Sequence, residues 1–202
     1  MRLIDPESVS GRDRYELLTS LVVPRPIGWI STWGADDTAN LAPFSYFCAL
    51  SSSPMLVGVS IGERRGGPKD TLVNIRIRRA FCVNVVTERL LEAMNTTSAN
   101  VGPEVDEFEL AGLDAVPSVR VSAPYVEACP AVLECELQQE VSLGDAPNTL
   151  LIGRVVGVLL HSDLALAPGT SAVDSEALRP VGRLWGSTYA LPGEVRSIVR
   201  PD

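Results

Sequence analysis

Residues 66–75, GGPKDTLVNI, place a lysine at the predicted start of a helix. Leu72 and Ile75 have helical spacing, and the pattern predicts a short helix over residues 71–80. A helix N-terminus has unpaired N–H groups and carries a partial positive charge. Lys69 in this position is therefore unfavourable unless an anion binds beside it.

Lys69, the Thr71 hydroxyl and the free amides of residues 71–73 would together form a compact phosphate site. The two glycines that precede them, Gly66 and Gly67, would let the backbone approach the ligand closely. The same stretch also fits an ordinary helix start, in which the next residue, Asp70, is the N-cap and the lysine lies in solvent. Spacing alone leaves both interpretations open.

Sequence motifs for several other chemistries are absent. The chain has no G-x-G-x-x-G after a strand, no G-x-x-x-x-G-K-[ST] and no G-x-S-x-G. His161 is the single histidine, which argues against a histidine-based metal site and against a Ser–His or Cys–His nucleophile pair. We therefore expect no catalytic side chain and no metal, and we expect a bound cofactor to carry any difficult chemistry.

The charge balance excludes a general attraction for nucleic acid or anionic lipid. Among 202 residues, 17 are Lys or Arg and 25 are Asp or Glu, so the net charge is -8. Cys82 and Cys135 lie in strand-like runs and are expected to be buried thiols. The N-terminus lacks a signal-peptide pattern, and no apolar run is long enough to span a bilayer, so we expect a cytoplasmic protein with reduced thiols.

The hydrophobic pattern predicts a mainly β fold with inserted helices. Strand patterns cover residues 24–34, 41–52, 54–62, 81–87, 132–143 and 148–161. Short helical patterns cover residues 71–80 and 88–98, with a weaker one over 13–22. Turn residues at 35–40 and in GDAPN, residues 144–148, predict two hairpins.

Strand and helix do not alternate regularly, which favours an antiparallel barrel with about six strands over a doubly wound sheet. We expect a single domain over residues 1–202, with a leader over about 1–13 and a C-terminal connection over about 162–202. Residues 99–118 are acidic and are expected to be exposed and loop-rich, and residues 162–180 are expected to be a polar connection.

The order of several sequence blocks resembles the flavin reductase-like family. The blocks are PRPIGWIST, NLAPFSYF, VSIG, GGPKDTLVNI, FCVNVV, EAMNTTS, VDEFELAGL, LECELQQ, NTLLIGRVVGV and RPVGRLWGSTYA, which together span about residues 14–192. The resemblance implies a six-stranded antiparallel FMN-binding split barrel, with FMN in a groove at a homodimer interface.

The resemblance also implies which residues contact FMN. Lys69, Asp70 and Thr71 match the phosphate-binding block, with Asp70 capping the helix. The ring and the ribityl chain would be contacted by Trp29, Ile30, Ser31, Thr32, Asn40, Ala42, Pro43, Phe44, Ser45, Tyr46, Ser60 and Ile61. Core packing explains Trp29 and Tyr46 equally well.

The C-terminal block, Gly182 to Tyr189, resembles the segment that approaches the flavin, often from the partner subunit. Members of the family commonly carry Gly-Gly where this chain has Trp185-Gly186. The indole of Trp185 could fill the space of a nicotinamide ring, stack on a flat substrate or pack at the dimer interface. This departure from the family pattern bears on the identity of the redox partner more than on the assignment of FMN as the cofactor.

The resemblance implies an NAD(P)H-dependent flavin reductase with FMN as cofactor and NAD(P)H as co-substrate. Electrons would pass to free flavin, which a partner monooxygenase could use, or to another small-molecule acceptor. Two alternatives stay open: a flavin-binding or storage module with little turnover, and a split-barrel flavoenzyme with a specialised non-reductase reaction. No nucleic acid or membrane partner is expected.

Overall fold

The computed structural model describes residues 1–64, 67–144 and 147–201. Gly66, part of the predicted phosphate site, lies outside the described residues. So do two residues of the predicted 144–148 turn, Asp145 and Ala146.

Helices and strands occur throughout the described ranges. The helices are α1 (Gly11–Leu21), α2 (Asp70–Arg78), α3 (Leu91–Thr96), α4 (Glu107–Ala111) and α5 (Ser175–Leu178), and single 3-10 turns cover Pro6–Ser8 and Glu88–Leu90. The strands are β1 (Arg25–Pro26), β2 (Gly28–Trp33), β3 (Ala39–Phe44), β4 (Phe47–Ser52), β5 (Met55–Arg64), β6 (Gly67–Pro68), β7 (Ala80–Val85), β8 (Ala115–Pro117), β9 (Pro124–Val126), β10 (Ala131–Ser142), β11 (Asn148–Leu160), β12 (Gly182–Arg183) and β13 (Tyr189–Ala190).

One antiparallel sheet organises the molecule, with strand order β3-β2-β7-β10-β11-β5-β4 and the short β6 paired to β5. The mainly β, antiparallel class predicted from the sequence is confirmed. The described path has one strand more than predicted, because residues 41–52 form two strands rather than one. The chain bends at Ser45 and Tyr46, so β3 and β4 lie at opposite edges of the sheet.

Strand β2 lies in the middle of the core and is buried on both faces. Trp29 packs into one hydrophobic cluster with Met94 and Phe108, whereas Ile30 packs into a second cluster with Phe81. Successive side chains of a strand point to opposite faces, which explains this division. The predicted hairpin at residues 35–40 is confirmed, since β2 and β3 pair in register from Gly28–Phe44 to Trp33–Ala39.

The acidic segment 99–118 differs from its prediction. It contains α4, in which Glu107 and Phe108 are buried, and the short strand β8. Asp106 caps α4 by accepting hydrogen bonds from the backbone N–H groups of Phe108 and Glu109. The expectation of an exposed, loop-rich segment is therefore wrong for α4, because Phe108 anchors it in the core.

The predicted burial of Cys82 and Cys135 is confirmed, and Cys129 is buried as well, whereas Cys48 is exposed. All four thiols are free. Burial raises the pKa of Cys82 to about 12. None of the helices in the described ranges combines the length and the apolarity that a membrane span needs.

Candidate functional site

Six of the residues predicted to contact a ligand surround one cavity of about 240 Å³, which we name the Lys69 chamber. They are Asn40, Ala42, Pro43, Lys69, Asp70 and Thr71. The other lining residues are Arg64, residues 97–101 and Glu107. The edge strand β3 and the start of α2 therefore border one space that a ligand can enter.

Lys69 occupies the N-cap position of α2, where its side chain is half-buried. Its Nζ lies 5.1 Å from the centroid of the Phe44 ring, a cation–π contact. Burial, with a smaller contribution from Arg64, lowers the pKa of Lys69. No carboxylate within salt-bridge distance of Lys69 is found in the described ranges, so this cation lacks an anionic partner there.

The start of α2 differs in two details from the prediction. Asp70 is the first helical residue rather than the N-cap, and its carboxylate binds Arg64 through two hydrogen bonds of 2.8 and 2.9 Å. The backbone amides of Leu72 and Val73, expected to be free, donate to the Lys69 carbonyl. The capping interpretation of Asp70 is therefore wrong, since Arg64, six residues earlier in the chain, holds its side chain instead.

A buried hydrogen-bond network forms the floor of the Lys69 chamber. The Thr71 hydroxyl donates to Asn40 Oδ1 at 2.8 Å. Asn40 Nδ2 donates to both carboxylate oxygens of Glu107, at 3.1 and 3.0 Å. Burial raises the pKa of Glu107, and the nearby Asp70 carboxylate acts in the same direction. The predicted residues Asn40 and Thr71 are thus bonded to each other, and Asn40 is also bonded to a carboxylate that the sequence did not reveal.

A second cavity, of about 200 Å³, adjoins the first, because Pro43 and Ser98 line both. We name it the Tyr189 chamber. Its other lining residues are Tyr15, Ile27, Ser45, Met94, Asn95, Arg183 and Tyr189. Together the two chambers form a groove along β3 that has a charged end and a largely apolar and aromatic end.

Contacts between distant parts of the chain build the Tyr189 chamber. The Arg183 guanidinium lies 4.5 Å from the Tyr189 ring centroid and donates to the Tyr189 hydroxyl. That hydroxyl donates to Asn95 Oδ1 at 3.0 Å. The buried Arg25 donates to the carbonyls of Thr19 and Leu184 and, at 3.4 Å, to Ser45 Oγ. Arg25 therefore joins α1 and the C-terminal block to the wall of the chamber.

Several predicted contact residues line neither chamber. Trp29 is fully buried and its Nε1 donates to Thr97 Oγ1 at 2.8 Å. The buried Ser31 hydroxyl donates to the Pro124 carbonyl at 2.6 Å. The buried Thr32 hydroxyl donates to Asn40 Oδ1 at 3.3 Å. Trp29 and Thr32 therefore support lining residues of the groove, whereas Ser31 joins β2 to β9.

The remaining predicted residues divide between core and surface. Ile30, Phe44 and Ile61 are buried in the second hydrophobic cluster. The backbone N–H of Ser60 donates to the Tyr46 carbonyl at 2.8 Å, across the β4–β5 edge. Tyr46 is 41% exposed and Trp185 is 49% exposed, at the surface of one protomer. In the single chain none of these side chains lines the groove, so their assignment to the flavin stays a prediction.

Sequence reasoning missed Arg64, Glu107 and most side chains of the Tyr189 chamber. EAMNTTS and RPVGRLWGSTYA, two of the resembling blocks, contain Asn95, Arg183 and Tyr189. These blocks therefore contain residues of the Tyr189 chamber, but only the fold shows that these residues meet in one place.

A larger cavity of about 390 Å³ lies near His161. Its lining includes Thr87, Glu88 and Arg179, and Arg179 forms an ion pair with Glu88. It contains none of the residues predicted to contact a cofactor. The groove beside β3, which brings six of the predicted contact residues together, is therefore the better candidate site.

Comparison with known proteins gives one family. Residues 20–173 match the model described as "Flavin reductase like domain". A protein of Halalkalibacterium halodurans is 39% identical over 203 residues, covering 98% of this chain and 96% of its own length.

Two solved structures resemble the whole chain. Nitrilotriacetate monooxygenase component B from Bacillus cereus is 34% identical with a TM-score of 0.91, and the match covers 98% of each chain. The 2-nitrobenzoate 2-nitroreductase NbaA of Pseudomonas fluorescens is 26% identical with a TM-score of 0.89, covering 99% of this chain and 96% of that one.

Proposed function

Since the chain belongs to the family of flavin reductase like domains and has its split-barrel fold, we propose that it is an FMN-binding oxidoreductase. NAD(P)H would be the electron donor, and free flavin or another small molecule would be the acceptor. The observation that carries this proposal is the two-chamber groove beside β3. One end offers Lys69 without an anionic partner in the described ranges, and the other offers aromatic and apolar walls.

The Lys69 chamber fits the phosphate of FMN. A phosphate monoester carries between one and two negative charges at neutral pH. Lys69 supplies a half-buried cation at the N-terminus of α2, where the helix dipole also favours an anion. Lys69, Thr71 and Asn40 would therefore hold the phosphate and the adjacent ribityl chain.

The Tyr189 chamber fits one end of a planar ring system. Ile27, Pro43 and Met94 provide apolar contact, and Ser45 and Asn95 provide polar atoms for the ring edge. Arg183 is the charged residue in this lining. The continuity of the chambers through Pro43 and Ser98 lets one elongated molecule occupy both.

Bound FMN would supply the redox chemistry, since the flavin ring accepts and donates electrons. The protein would supply orientation, exclusion of water and the spacing between stacked rings. The family resemblance leads us to expect no acid or base among the catalytic residues, and the groove residues would act as positioning groups.

A second copy of the chain would complete the groove. Exposed apolar side chains occur on α1, at Leu18 and Leu21, and on the β4–β5 edge, at Leu50 and Met55. Burying such side chains between protomers is favourable. We propose a homodimer, in which Tyr46 and Trp185 lie near the partner subunit. The four free thiols support a reducing, cytoplasmic location.

The acceptor defines two versions of this function. The neighbour described as a monooxygenase component B favours delivery of reduced flavin to a partner monooxygenase. The neighbour described as a nitroreductase favours direct reduction of a small molecule, for which Arg183 offers an anchor for an anionic group. A flavin-binding module with little turnover is the non-enzymatic alternative.

The visible spectrum of the purified protein, with and without added FMN, tests the cofactor. We expect a flavin absorption band that remains with the protein after gel filtration. Steady-state oxidation of NADH and of NADPH with added FMN then tests the enzyme. Binding of FMN without oxidation of either nucleotide above background would leave only the binding module.

A further inference from the structure

The charges of the Lys69 chamber cancel. Its lining contains two cations, Arg64 and Lys69, and two carboxylates, Asp70 and Glu107. Arg64 and Asp70 neutralise each other in a bidentate ion pair. A phosphate monoester that enters the chamber therefore meets Lys69 together with the buried Glu107, which repels it.

The contacts of Glu107 are those of an ionised carboxylate. Its side chain accepts two hydrogen bonds from Asn40 Nδ2 and one, at 3.0 Å, from the Leu41 backbone N–H. All three are N–H donors, which a carboxylate binds without donating a proton. Glu107 is 6% exposed, so solvent screens its charge poorly.

This arrangement fixes the direction of the Thr71 hydroxyl. Asn40 presents its Nδ2 to Glu107, so its Oδ1 accepts the hydroxyl proton of Thr71 at 2.8 Å and that of Thr32 at 3.3 Å. The Thr71 proton is then unavailable to a phosphate oxygen. With Glu107 ionised, the floor of the chamber therefore presents to a phosphate a carboxylate and the Thr71 hydroxyl, whose proton is already donated to Asn40.

We propose that Glu107 is a specificity-determining residue of the Lys69 chamber. Its carboxylate takes up one proton when a phosphate monoester binds. The proton comes from solvent and bonds to one Glu107 oxygen, while the other oxygen keeps the Leu41 N–H. Protonated Glu107 donates to Asn40 Oδ1, so the Asn40 amide turns and its Nδ2 donates to the hydroxyl oxygens of Thr71 and Thr32. The amide of Asn74, whose Nδ2 donates to Thr32 in this structure, turns as well, and its Oδ1 accepts the Thr32 proton. The Thr71 hydroxyl then donates to the phosphate. This proposal rests on the proposed function, because FMN is the phosphate monoester.

The charged groups around Glu107 are consistent with this assignment. Arg64, Lys69 and Asp70 share the chamber with it. Its own helix, α4, begins after Asp106 and carries the exposed Glu109. Among the elements that pack on α4, α3 carries the exposed Glu92 and β3 carries no charged residue. An anion in the chamber raises the pKa of Glu107 further, since like charges favour the protonated form.

The variant Glu107→Gln tests the proposal, because a glutamine amide donates to Asn40 as a protonated glutamate does. Calorimetric titration of the full-length protein with FMN at pH 7.5, in buffers with different ionisation enthalpies, counts protons taken up. We expect wild type to take up about half a proton or more per FMN and the variant to take up clearly less. The matched control Glu109→Gln, on the exposed face of α4, should behave as wild type.

Riboflavin, which lacks the phosphate, should bind wild type without proton uptake. FMN binding with the same proton uptake in wild type and Glu107→Gln would assign the proton to Lys69 or to the phosphate, and would overturn the proposal while leaving the proposed function intact. FMN binding with no proton uptake would overturn it in the same way. Absence of FMN binding to wild type would overturn both.

A measurement on wild type alone covers the case in which the variant does not fold. The affinities for FMN and riboflavin are compared at pH 7 and pH 8. Proton uptake makes FMN affinity fall with rising pH, by up to about tenfold over this unit, while riboflavin affinity stays constant. An FMN affinity that does not change between the two pH values would contradict the role of Glu107.

Discussion

The two ends of the groove recognise a ligand by different physical means. The Lys69 chamber has four charged side chains whose charges cancel, above a buried hydrogen-bond network from Thr71 to Glu107. The Tyr189 chamber has one charged lining residue, Arg183, which packs on an aromatic ring. Binding at the first end should depend on ligand charge and pH, whereas binding at the second should depend on shape and stacking.

This difference separates the contributions of the phosphate and of the ring. FMN reaches both chambers in our proposal, whereas riboflavin has no group for the Lys69 chamber. The ratio of the two affinities therefore reports on the Lys69 chamber alone. Changes that affect both ligands equally report on the Tyr189 chamber.

The largest expected effect is that of Lys69→Ala on FMN binding. Loss of a charge-assisted contact should weaken FMN binding by about 1.5–3 kcal/mol. Riboflavin binding should not change, because the phosphate is the group that Lys69 meets. Flavin fluorescence titration measures both affinities, and Arg76→Ala, on the same helix but paired with Glu140, is the matched control.

An unchanged FMN affinity in Lys69→Ala would defeat the phosphate assignment. An equal loss for FMN and riboflavin would show that the two chambers are not separate in their roles. Either result would remove the distinction on which the other predictions depend.

Tyr189→Ala should have the next largest effect and should act on both ligands alike. The variant removes an aromatic wall and the support of Arg183, and aromatic contacts contribute about 0.5–1.5 kcal/mol. Tyr189→Phe retains the ring and loses only the hydrogen bonds to Arg183 and Asn95. A loss of affinity for FMN but not for riboflavin would indicate that the flavin ring does not bind in the Tyr189 chamber.

The stability of the free protein should depend on pH through Glu107. Because its folded pKa is raised, the stability it contributes is fully present below its unfolded pKa and is lost as pH rises through the folded value. Urea unfolding at pH 5 and pH 8 measures this. Relative to wild type, Glu107→Gln should gain stability as pH rises, by about 1.4 kcal/mol for each unit of pKa shift.

A stability difference between Glu107→Gln and wild type that is the same at both pH values would show that Glu107 titrates alike in the folded and unfolded chains. Glu109→Gln again serves as the control, because its side chain is exposed on the same helix.

Trp185→Gly should have the smallest effect on flavin affinity, since the indole lines neither chamber in one protomer and is 49% exposed. If the indole fills the space of a nicotinamide ring, we expect a faster reduction by NAD(P)H. Stopped-flow absorbance of the flavin band measures the rate. A slower reduction would indicate that the indole stacks productively on a substrate.

The sequence was most informative where signals were local. The helix after Lys69 and the hairpin at residues 35–40 depend on short patterns, and both are present. Lys69, Thr71 and Asn40 meet in one chamber because β3 and α2 pack together. The resemblance to a known family gave the fold class from the order of its blocks.

Features that depend on tertiary packing could not be predicted in the same way. Glu107 lies in a run of acidic residues typical of an exposed loop, and only the packing of α4 on β3 buries it. The sequence predicted that the Asp70 side chain caps the helix, but Arg64 binds its carboxylate instead. Ser31 and Thr32 were predicted to contact the ligand, yet their hydroxyls donate hydrogen bonds to other parts of the protein.

A crystal structure of the protein with FMN tests the division of the groove most directly. We predict difference density for a phosphate beside Lys69 and Thr71, and density for the ring system reaching Pro43 and the Tyr189 chamber. Density for FMN elsewhere, with both chambers empty, would contradict the account.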